Sequence, residues 1–314
     1  MKIVFCGTPS FAVPALKAVL RAGHEVALVV TQPDRPSGRG MQMVAPPVKE
    51  TALEAGIAVV QPEKIKNNLE FRTQLEAIRP DAILVVAYGR IVPKWMLELP
   101  RFGNLNLHAS LLPKYRGAAP IQWAVANGDP VTGVTTMRID EGLDTGDMLM
   151  QREMAIAPDQ TSADLFPLLA EIGAVLMTET LEGLEAGTIT PIKQDDALAT
   201  HAPILTRDDG RMDFTQPAMT LYNRWRGFQP WPGAWTMLDG KKLSAHRLMP
   251  LDAGAVSGIS AEPGAVHVEQ GRLLVACGDG SWLEFVDVQL EGKKRMLAAD
   301  FLRGHALKSG YRLG

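Results

Sequence analysis

The chain has 314 residues and a mass of 34.1 kDa, with 46% hydrophobic and 21% charged residues. This composition is typical of an ordered globular protein of about two domains, and it excludes a disordered or fibrous chain. The formal net charge is −3, but residues 207–314 carry +2 and residues 1–206 carry −5, a division that leaves a nucleic-acid partner open.

The sequence indicates a cytoplasmic protein that does not cross a membrane. Its longest apolar stretches, such as residues 83–88, fall far short of the roughly 20 residues that a membrane span requires. The first residues resemble a buried strand rather than a cleavable leader. Cys6 and Cys277 lie far apart and outside any Cys-x-x-Cys motif, so we expect buried thiols and neither a disulfide nor a zinc site.

Short β-branched runs alternate with helical patterns through the first half of the chain. The predicted strands are residues 3–6, 26–30, 58–60, 82–86, 105–108 and 134–139, and the predicted helices are near residues 13–20, 48–55, 69–78 and 162–185. This alternation predicts an α/β fold with a Rossmann-like, mostly parallel sheet. Such sheets bind ligands beyond the carboxyl ends of their strands, so we expect the functional site there.

The pattern changes after Gly187. Residues 189–206 are polar, contain proline and lack periodicity, which is typical of a linker. The short β runs that follow are residues 235–237, 243–248, 265–268, 273–277 and 282–288. Turn dipeptides separate them, which predicts a small, OB-like β-barrel. We therefore expect a catalytic domain at residues 1–188, a linker at 189–206 and a C-terminal domain at 207–314.

The first strand-to-helix turn argues against a dinucleotide cofactor. That cofactor needs a fingerprint of three glycines, and only Gly7 is present in Gly7-Thr8-Pro9-Ser10-Phe11. A phosphate loop of the Gly-x-x-x-x-Gly-Lys-Ser/Thr type is also absent from the sequence. A turn shaped only by Gly7 and Pro9 explains the segment equally well.

Two polar segments form a candidate catalytic set. Asn106 and His108 are two apart on a predicted strand, so their side chains project from the same face. A lone histidine is more often a structural group, but the acidic loop at residues 140–147 follows the next strand and brings Asp144 towards the same end of the sheet. Such loops can also be calcium sites or solvated turns, although the EF-hand spacing is absent.

At these residues the sequence resembles the folate-dependent formyltransferases. The resemblance is carried by Asn106-x-His108, by the run Ser110-Leu111-Leu112-Pro113-x-Tyr115-Arg116-Gly117 and by Gly142-Leu143-Asp144-Thr145-Gly146-Asp147. Residues 7–9, 31–40, 87–89 and 228–233 are most similar to the members that act on methionyl-tRNA. No single motif is specific, but the combination covers essentially the whole chain.

The resemblance implies transfer of a formyl group from 10-formyltetrahydrofolate to the α-amino group of initiator methionyl-tRNA, without a metal or dinucleotide. Asn106 is expected to donate a hydrogen bond to the oxyanion, and His108 to stabilise that oxyanion or move protons. Asp144 is expected to orient the imidazole, and either it or His108 takes the proton of the amine. We expect a monomer.

The resemblance also assigns the binding residues. Folate is expected to contact the 142–144 loop and the backbone of two further loops, at Ser110, Leu111, Leu112 and Pro113 and at Tyr88 and Gly89. The 31–48 segment is rich in proline and glycine, which predicts an irregular, exposed loop. The resemblance implies that this loop approaches tRNA through Arg39 and Arg35. A basic triplet, Lys293, Lys294 and Arg295, is the candidate tRNA contact of the C-terminal domain, although charge runs are often only solvated surface.

Three alternatives remain at this point. A sugar-nucleotide formyltransferase would use the same three side chains and the same folate donor on an amino sugar. A noncatalytic tRNA-binding or folate-binding module would have no need of Asn106, His108 and Asp144. A dinucleotide-dependent oxidoreductase lacks its glycine fingerprint.

Overall fold

The computed structural model describes residues 1–37, 40–256, 261–305, 307 and 309–314. These residues form two compact units. The first comprises Met1–Pro120, Val131–Ala155 and Leu165–Ala202, and the second comprises Ile121–Pro130, Ile156–Asp164 and Pro203–Gly314. Most of the predicted linker, residues 189–202, therefore contributes to the first unit, and the predicted domain boundaries stay a prediction.

The strands of the first unit are β1 (Lys2–Gly7), β2 (Glu25–Val30), β3 (Arg35–Ser37), β4 (Gln42–Val44), β5 (Val59–Val60), β6 (Ala82–Val86), β7 (Asn104–His108), β8 (Arg116–Gly117), β9 (Val131–Arg138), β10 (Met148–Ala155) and β11 (His201–Ala202). Those of the second unit are β12 (Ala234–Leu238), β13 (Lys241–Leu251), β14 (Val266–Glu269), β15 (Arg272–Ala276), β16 (Trp282–Leu290) and β17 (Met296–Leu297).

The helices are α1 (Val13–Arg21), α2 (Pro47–Glu54), α3 (Leu69–Ile78), α4 (Lys94–Leu97), α5 (Pro120–Ala126), α6 (Ser162–Ala186), α7 (Ala218–Gly227) and α8 (Ala298–Gly304). Short 3₁₀ turns lie at Ser10–Ala12, Asp196–Leu198 and Asp208–Gly210. None of the helices in the described ranges has the length and apolar character of a membrane span.

The first unit is built on a seven-stranded sheet in the order β10-β9-β7-β6-β1-β2-β5. Strands β7, β6, β1, β2 and β5 are parallel, and β9 and β10 extend the sheet antiparallel beyond β7. Strand β1, in the interior of the sheet, is fully buried over residues 3–6, as both faces of a covered parallel sheet require. The predicted α/β fold with a mostly parallel sheet is confirmed.

Two segments of this unit differ from the sequence-based expectation. The 31–48 segment, expected to be irregular, contains the antiparallel pair β3–β4 with Arg35 opposite Val44. A turn with Gly40 and Met41 at positive φ leads into β4, and β4 is exposed as expected. The eight-residue strand β10 is not indicated by its sequence, because its Met, Leu, Gln, Arg, Glu and Ala residues favour helix and its pairing with β9 overrides that preference.

The second unit contains an antiparallel sheet in the order β12-β13-β16-β15-β14, with β17 added beside β16. Leu243, Leu273 and Phe285 fill its core, and Trp225 of α7 and Phe301 of α8 belong to the same buried cluster. The predicted C-terminal antiparallel β unit is confirmed, and its closure into a barrel stays a prediction.

Candidate active site

Strand β7 carries two of the three candidate catalytic side chains at its carboxyl end. Asn106 and His108 are two residues apart on this strand and therefore project from one face of the sheet. Parallel β6 and antiparallel β9 flank the strand and hold its backbone on both sides. His108 is 6% exposed and Asn106 is half-buried, so both side chains have a fixed, largely dry environment.

The imidazole of His108 lies between a backbone carbonyl and a carboxylate. Its Nε2 is 2.9 Å from the carbonyl oxygen of Tyr115, and its Nδ1 is 3.7 Å from Oδ2 of Asp144. A carbonyl only accepts, so Nε2 carries a hydrogen and donates it. In the neutral ring Nδ1 is then the unprotonated nitrogen, and its protonation places a positive charge directly beside Asp144.

The loop before β10 positions Asp144 by close backbone approach. Its carboxylate accepts a hydrogen bond of 2.8 Å from the backbone N–H of Gly117. Asp144 has φ of 53°, a left-handed conformation that costs a non-glycine residue about 1–3 kcal/mol. A Cβ at Gly146 would lie 1.9 Å from the carbonyl oxygen of Arg138, so only glycine fits this passage. The loop sequence therefore determines where the carboxylate points.

Two other acidic side chains of this loop have partners of their own, since Oε1 of Glu141 lies 3.7 Å from Nζ of Lys94 and Asp140 bonds within the loop. Oδ1 of Asp140 accepts hydrogen bonds from the N–H of Gly142 at 3.0 Å and from Oγ1 of Thr145 at 2.7 Å. No group of three or more His, Cys, Asp or Glu side chains in the described part of the chain is arranged to hold a metal ion.

The Asn106 side chain is available for a ligand. The residue pairs with Val85 of β6 and Met137 of β9 through the sheet. Among the described residues, no group hydrogen bonds to its side-chain amide, in contrast to Asn104 on the same strand, which donates to the carbonyl of Met96 at 2.8 Å. An unpaired, half-buried amide can donate to an oxygen of a bound substrate.

Two buried side chains that the sequence interpretation missed support this arrangement. Arg116 donates from Nε to Oε1 of Gln194 at 3.0 Å, and Gln194 donates from Nε2 to the carbonyl oxygens of Asp144 and Gly146, both at 2.8 Å. Gln194 lies in the segment predicted as a linker, 78 residues from Arg116. No local pattern in the sequence signals such a contact.

The predicted folate-binding run at residues 110–113 is an ordered loop whose carbonyls are already engaged. The donors to the carbonyls of Ser110, Leu111, Leu112 and Pro113 are, in order, Thr135 Oγ1, Lys114 N, Gln151 Nε2 and Thr200 N, at 2.7, 3.1, 2.8 and 3.3 Å. Each carbonyl keeps a second lone pair, so the loop has a fixed shape and further acceptor capacity. Its contact with folate stays a prediction.

Tyr88 belongs to the core of the first unit. Its ring is 2% exposed and packs with Cys6, Val85 and Met96. Burial raises the pKa of its hydroxyl well above the usual range. Its ring is therefore unavailable to a ligand, and a contribution of this loop to folate binding has to come from the backbone around exposed Gly89.

One of the two predicted tRNA-binding arginines of the first unit lies on the β3–β4 hairpin. Arg35 begins β3, is mostly exposed and forms an ion pair of 3.7 Å with Glu63. Arg39 lies outside the described residues.

The three residues of the basic triplet in the second unit differ in their contacts. Lys293 and Lys294 are exposed. Arg295 is also exposed but pairs with Asp287, with Nη2 and Nε at 2.6 and 2.7 Å from Oδ2 of that carboxylate. Within the described ranges, the triplet therefore presents two ammonium groups without an ion pair and one guanidinium paired with a carboxylate.

Both cysteines are buried free thiols, as expected from the sequence. Burial raises the pKa of Cys6 and raises that of Cys277 to about 12. Neither thiol is ionised at neutral pH, so neither is an activated nucleophile.

Known protein families match both parts of the chain. Residues 1–181 match the family "Formyl transferase", and residues 204–306 match "Formyl transferase, C-terminal domain". Relatives named methionyl-tRNA formyltransferase from Acidobacterium capsulatum and Koribacter versatilis are 73% and 58% identical to the chain. Both alignments cover 100% of this chain, and they cover 100% and 99% of the relatives.

Solved structures share the fold at low identity. A sugar 3N-formyl transferase, crystallised in the presence of dTDP and 5-N-formyl-THF, is 18% identical with a TM-score of 0.65 over 94% of this chain and 99% of its own. An N-formyltransferase from Helicobacter canadensis, in complex with folinic acid and dTDP-3-aminofucose, is 19% identical with a TM-score of 0.66 over 91% and 98%. The two matched families and the full-length relatives together establish that the chain belongs to the formyl transferases, as a member of the methionyl-tRNA formyltransferase family.

Proposed function

We propose that the chain transfers the formyl group of 10-formyltetrahydrofolate to the α-amino group of initiator methionyl-tRNA. The proposal rests mainly on one observation. Nδ1 of His108 and Oδ2 of Asp144 are 3.7 Å apart, at the end of the strand that also holds Asn106. The methionyl-tRNA substrate is inferred from the names of the relatives, and the three polar side chains are groups that can catalyse acyl transfer.

The reaction needs an oxyanion stabiliser and a proton acceptor. The amine nitrogen forms a bond to the formyl carbon, and its surplus proton passes to a base. The tetrahedral oxyanion then collapses, the bond between carbon and the folate nitrogen breaks, and that nitrogen takes up a proton. An α-amino group has a pKa of about 7.7–8.0, so roughly a tenth is already neutral at pH 7. A strong base is unnecessary for the attack.

Asn106 is assigned the role of hydrogen-bond donor to the oxyanion. Its amide is half-buried and free of partners among the described residues, so it can donate to the formyl oxygen without first breaking another bond. A donor already in place strengthens its interaction as charge develops and needs no reorganisation at that moment.

His108 and Asp144 are assigned the proton transfers of the reaction. Nε2 of His108 is held by the carbonyl of Tyr115, so Nδ1 is the ring nitrogen that can gain a proton without losing that bond. A proton gained at Nδ1 gives the ring a positive charge beside the Asp144 carboxylate, and that charge stabilises a neighbouring oxyanion. Asp144 keeps a second oxygen for the amine proton, because the contacts with Gly117 and His108 both use Oδ2.

Folate is assigned to the crevice beyond the strand ends. The ordered 110–113 loop, the backbone around Gly89 and the 142–144 loop supply donors and acceptors for a pterin edge. Because the ring of Tyr88 is buried, the aliphatic side chains of the loops have to cover the pterin faces.

The tRNA is assigned to basic groups on each unit. Arg35 begins β3 and is exposed, and Lys293 and Lys294 lie exposed on the second unit. Arg39 is included because of the sequence motif at residues 31–40. Such contacts neutralise phosphates and make affinity depend on salt. The proposal includes a monomeric enzyme in the cytoplasm, where its substrate is used in translation.

The alternative substrate is an amino sugar attached to a nucleotide. Two solved sugar formyltransferases share the fold, but they are 18% and 19% identical to this chain. The methionyl-tRNA relative from Acidobacterium capsulatum is 73% identical over the full length, which favours the tRNA substrate.

A direct assay separates the substrates. The purified chain is incubated with 10-formyltetrahydrofolate and, in parallel, initiator methionyl-tRNA, elongator methionyl-tRNA or a dTDP-amino sugar, and formylated product is quantified. We expect formylation of the initiator, much less of the elongator and none of the sugar. Formylation of the sugar without that of the tRNA would establish the alternative, and absence of product from every substrate would favour a noncatalytic module.

A further inference from the structure

We infer that Gln194 is a positioning residue for this reaction, acting through the backbone that carries Asp144. The inference rests on the proposed function, because it assigns Gln194 to the transfer step. Gln194 lies outside the strand and loop motifs that carry the candidate catalytic side chains, and it is 5% exposed.

The Gln194 amide uses both of its N–H groups on the Asp144 loop. Nε2 donates to the carbonyl oxygens of Asp144 and Gly146, both at 2.8 Å. Its Oε1 accepts from Nε of Arg116 at 3.0 Å. One buried side chain thus ties two alternate carbonyls of the loop to a second structural segment, and a side chain with only acceptors could not make these bonds.

This restraint adds to the hydrogen bonds that Asp140 and Gly117 make with the loop, at a tip where side-chain packing is sparse. Residues 141–143 are exposed, and Leu143 is 65% exposed, so packing contributes little at the tip. Asp144 adopts a left-handed φ of 53°, a conformation that persists only where the surroundings enforce it. The Gln194 bond to the Asp144 carbonyl acts directly on that residue's own backbone.

The third hydrogen bond connects the same amide to the segment that contacts both proton-handling groups. Arg116 lies between Tyr115, whose carbonyl accepts from His108, and Gly117, whose N–H donates to the Asp144 carboxylate. Pairing of β8 with β11 fixes this segment, and the N–H of Arg116 donates to the carbonyl of Thr200, the residue before β11, at 2.8 Å. Gln194 therefore couples the position of the carboxylate to the position of the imidazole.

The test is a double-mutant cycle on the transfer step. Gln194→Met keeps the length of the side chain and removes the three hydrogen bonds. We expect kcat to fall about 10- to 100-fold, the effect of misplacing a reacting group by up to about 1 Å, while the KM values for folate and tRNA change little. In an Asp144→Asn background the same substitution is expected to cost less than threefold, because its effect acts through that carboxylate.

Gln160→Met is the matched control. The Oε1 of Gln160 accepts from the N–H of Ala157 at 2.9 Å in the second unit, outside the candidate site, so the variant is expected to retain wild-type kcat. Gln194→Asn, which keeps a shorter amide, is expected to give a smaller loss than Gln194→Met and replaces it in the cycle if the methionine variant does not fold.

The possible outcomes distinguish failure of the positioning role of Gln194 from failure of the proposed function. Wild-type kcat in the Gln194 variants, or equal losses in both Asp144 backgrounds, overturns the positioning role. A large rise in the KM for folate with unchanged kcat also overturns it, since the loop would then serve binding alone. Failure of the wild-type protein to formylate methionyl-tRNA instead refutes the proposed function.

Discussion

Two asparagines on strand β7 provide a strong test of the active-site assignment. Asn106 and Asn104 are two apart, yet the amide of Asn104 donates to the carbonyl of Met96 at 2.8 Å while that of Asn106 has no hydrogen-bond partner among the described residues. We expect Asn106→Ala to remove an oxyanion donor, at about 2.7–4 kcal/mol of transition-state energy, or 10²- to 10³-fold in kcat. Stability should change little, because the substitution breaks no side-chain hydrogen bond within the part of the chain that the structure describes.

Asn104→Ala is expected to do the opposite. It removes a buried hydrogen bond and leaves the Met96 carbonyl without its donor, which costs about 1–3 kcal/mol of folding free energy. At roughly 2–4 °C per kcal/mol in a domain of this size, its Tm should fall by several degrees. Its kcat should stay within a few fold of wild type, since the Asn104 amide is already bonded to the Met96 carbonyl and is not free to contact the substrate.

The two variants are compared by steady-state formylation of initiator methionyl-tRNA and by thermal unfolding. The Kd for a nonreactive folate is measured in parallel, and Asn106→Ala should leave it within a few fold. The assignment is refuted if Asn106→Ala retains kcat, or if its loss of kcat is matched by an equal loss of folate affinity.

Three further substitutions test other parts of the molecule. Lys49→Met removes the ion pair that holds the pKa of Asp34 below its usual 3.8, so the variant should be less stable at neutral pH. The difference in stability between the variant and wild type should shrink as the pH falls below about 4, because Lys49 stabilises only the charged form of Asp34. Lys294→Ala should weaken tRNA binding and reduce its salt slope by about one, whereas Arg295→Ala should change the slope less because a carboxylate already pairs that guanidinium. Arg39→Ala should reduce discrimination between initiator and elongator tRNA while folate binding is retained.

Each of these expectations has a contradicting result. The stability of Lys49→Met and wild type is measured by urea unfolding from pH 7 to pH 3. A difference that is constant over this range would show that the ion pair does not cause it. Equal salt slopes for wild type and Lys294→Ala would show that this lysine does not contact phosphate. Unchanged initiator preference in Arg39→Ala would show that this arginine does not contribute to substrate selection.

Local sequence determines the elements whose signals are short-ranged. Helix α3 begins and ends at the predicted residues 69 and 78, because Asn68 caps it by accepting from the N–H of Phe71 and its apolar residues recur at helical spacing. Strand β6 has the predicted bounds 82–86, since five consecutive apolar residues are buried at the centre of the sheet. The projection of Asn106 and His108 from one face likewise follows from the two-residue period of a strand.

Tertiary structure decided the features that depend on residues far apart in the chain. Strand β10 has a helix-favouring composition and is extended because it pairs with β9. The meeting of Asp144 with His108 depends on a left-handed backbone at Asp144 and on Gly117, 27 residues away. Gln194 reaches that loop across 50 residues from a segment with the composition of a linker. Residue type and spacing identify which groups can perform the chemistry, but hydrogen bonds between distant segments determine which of them meet.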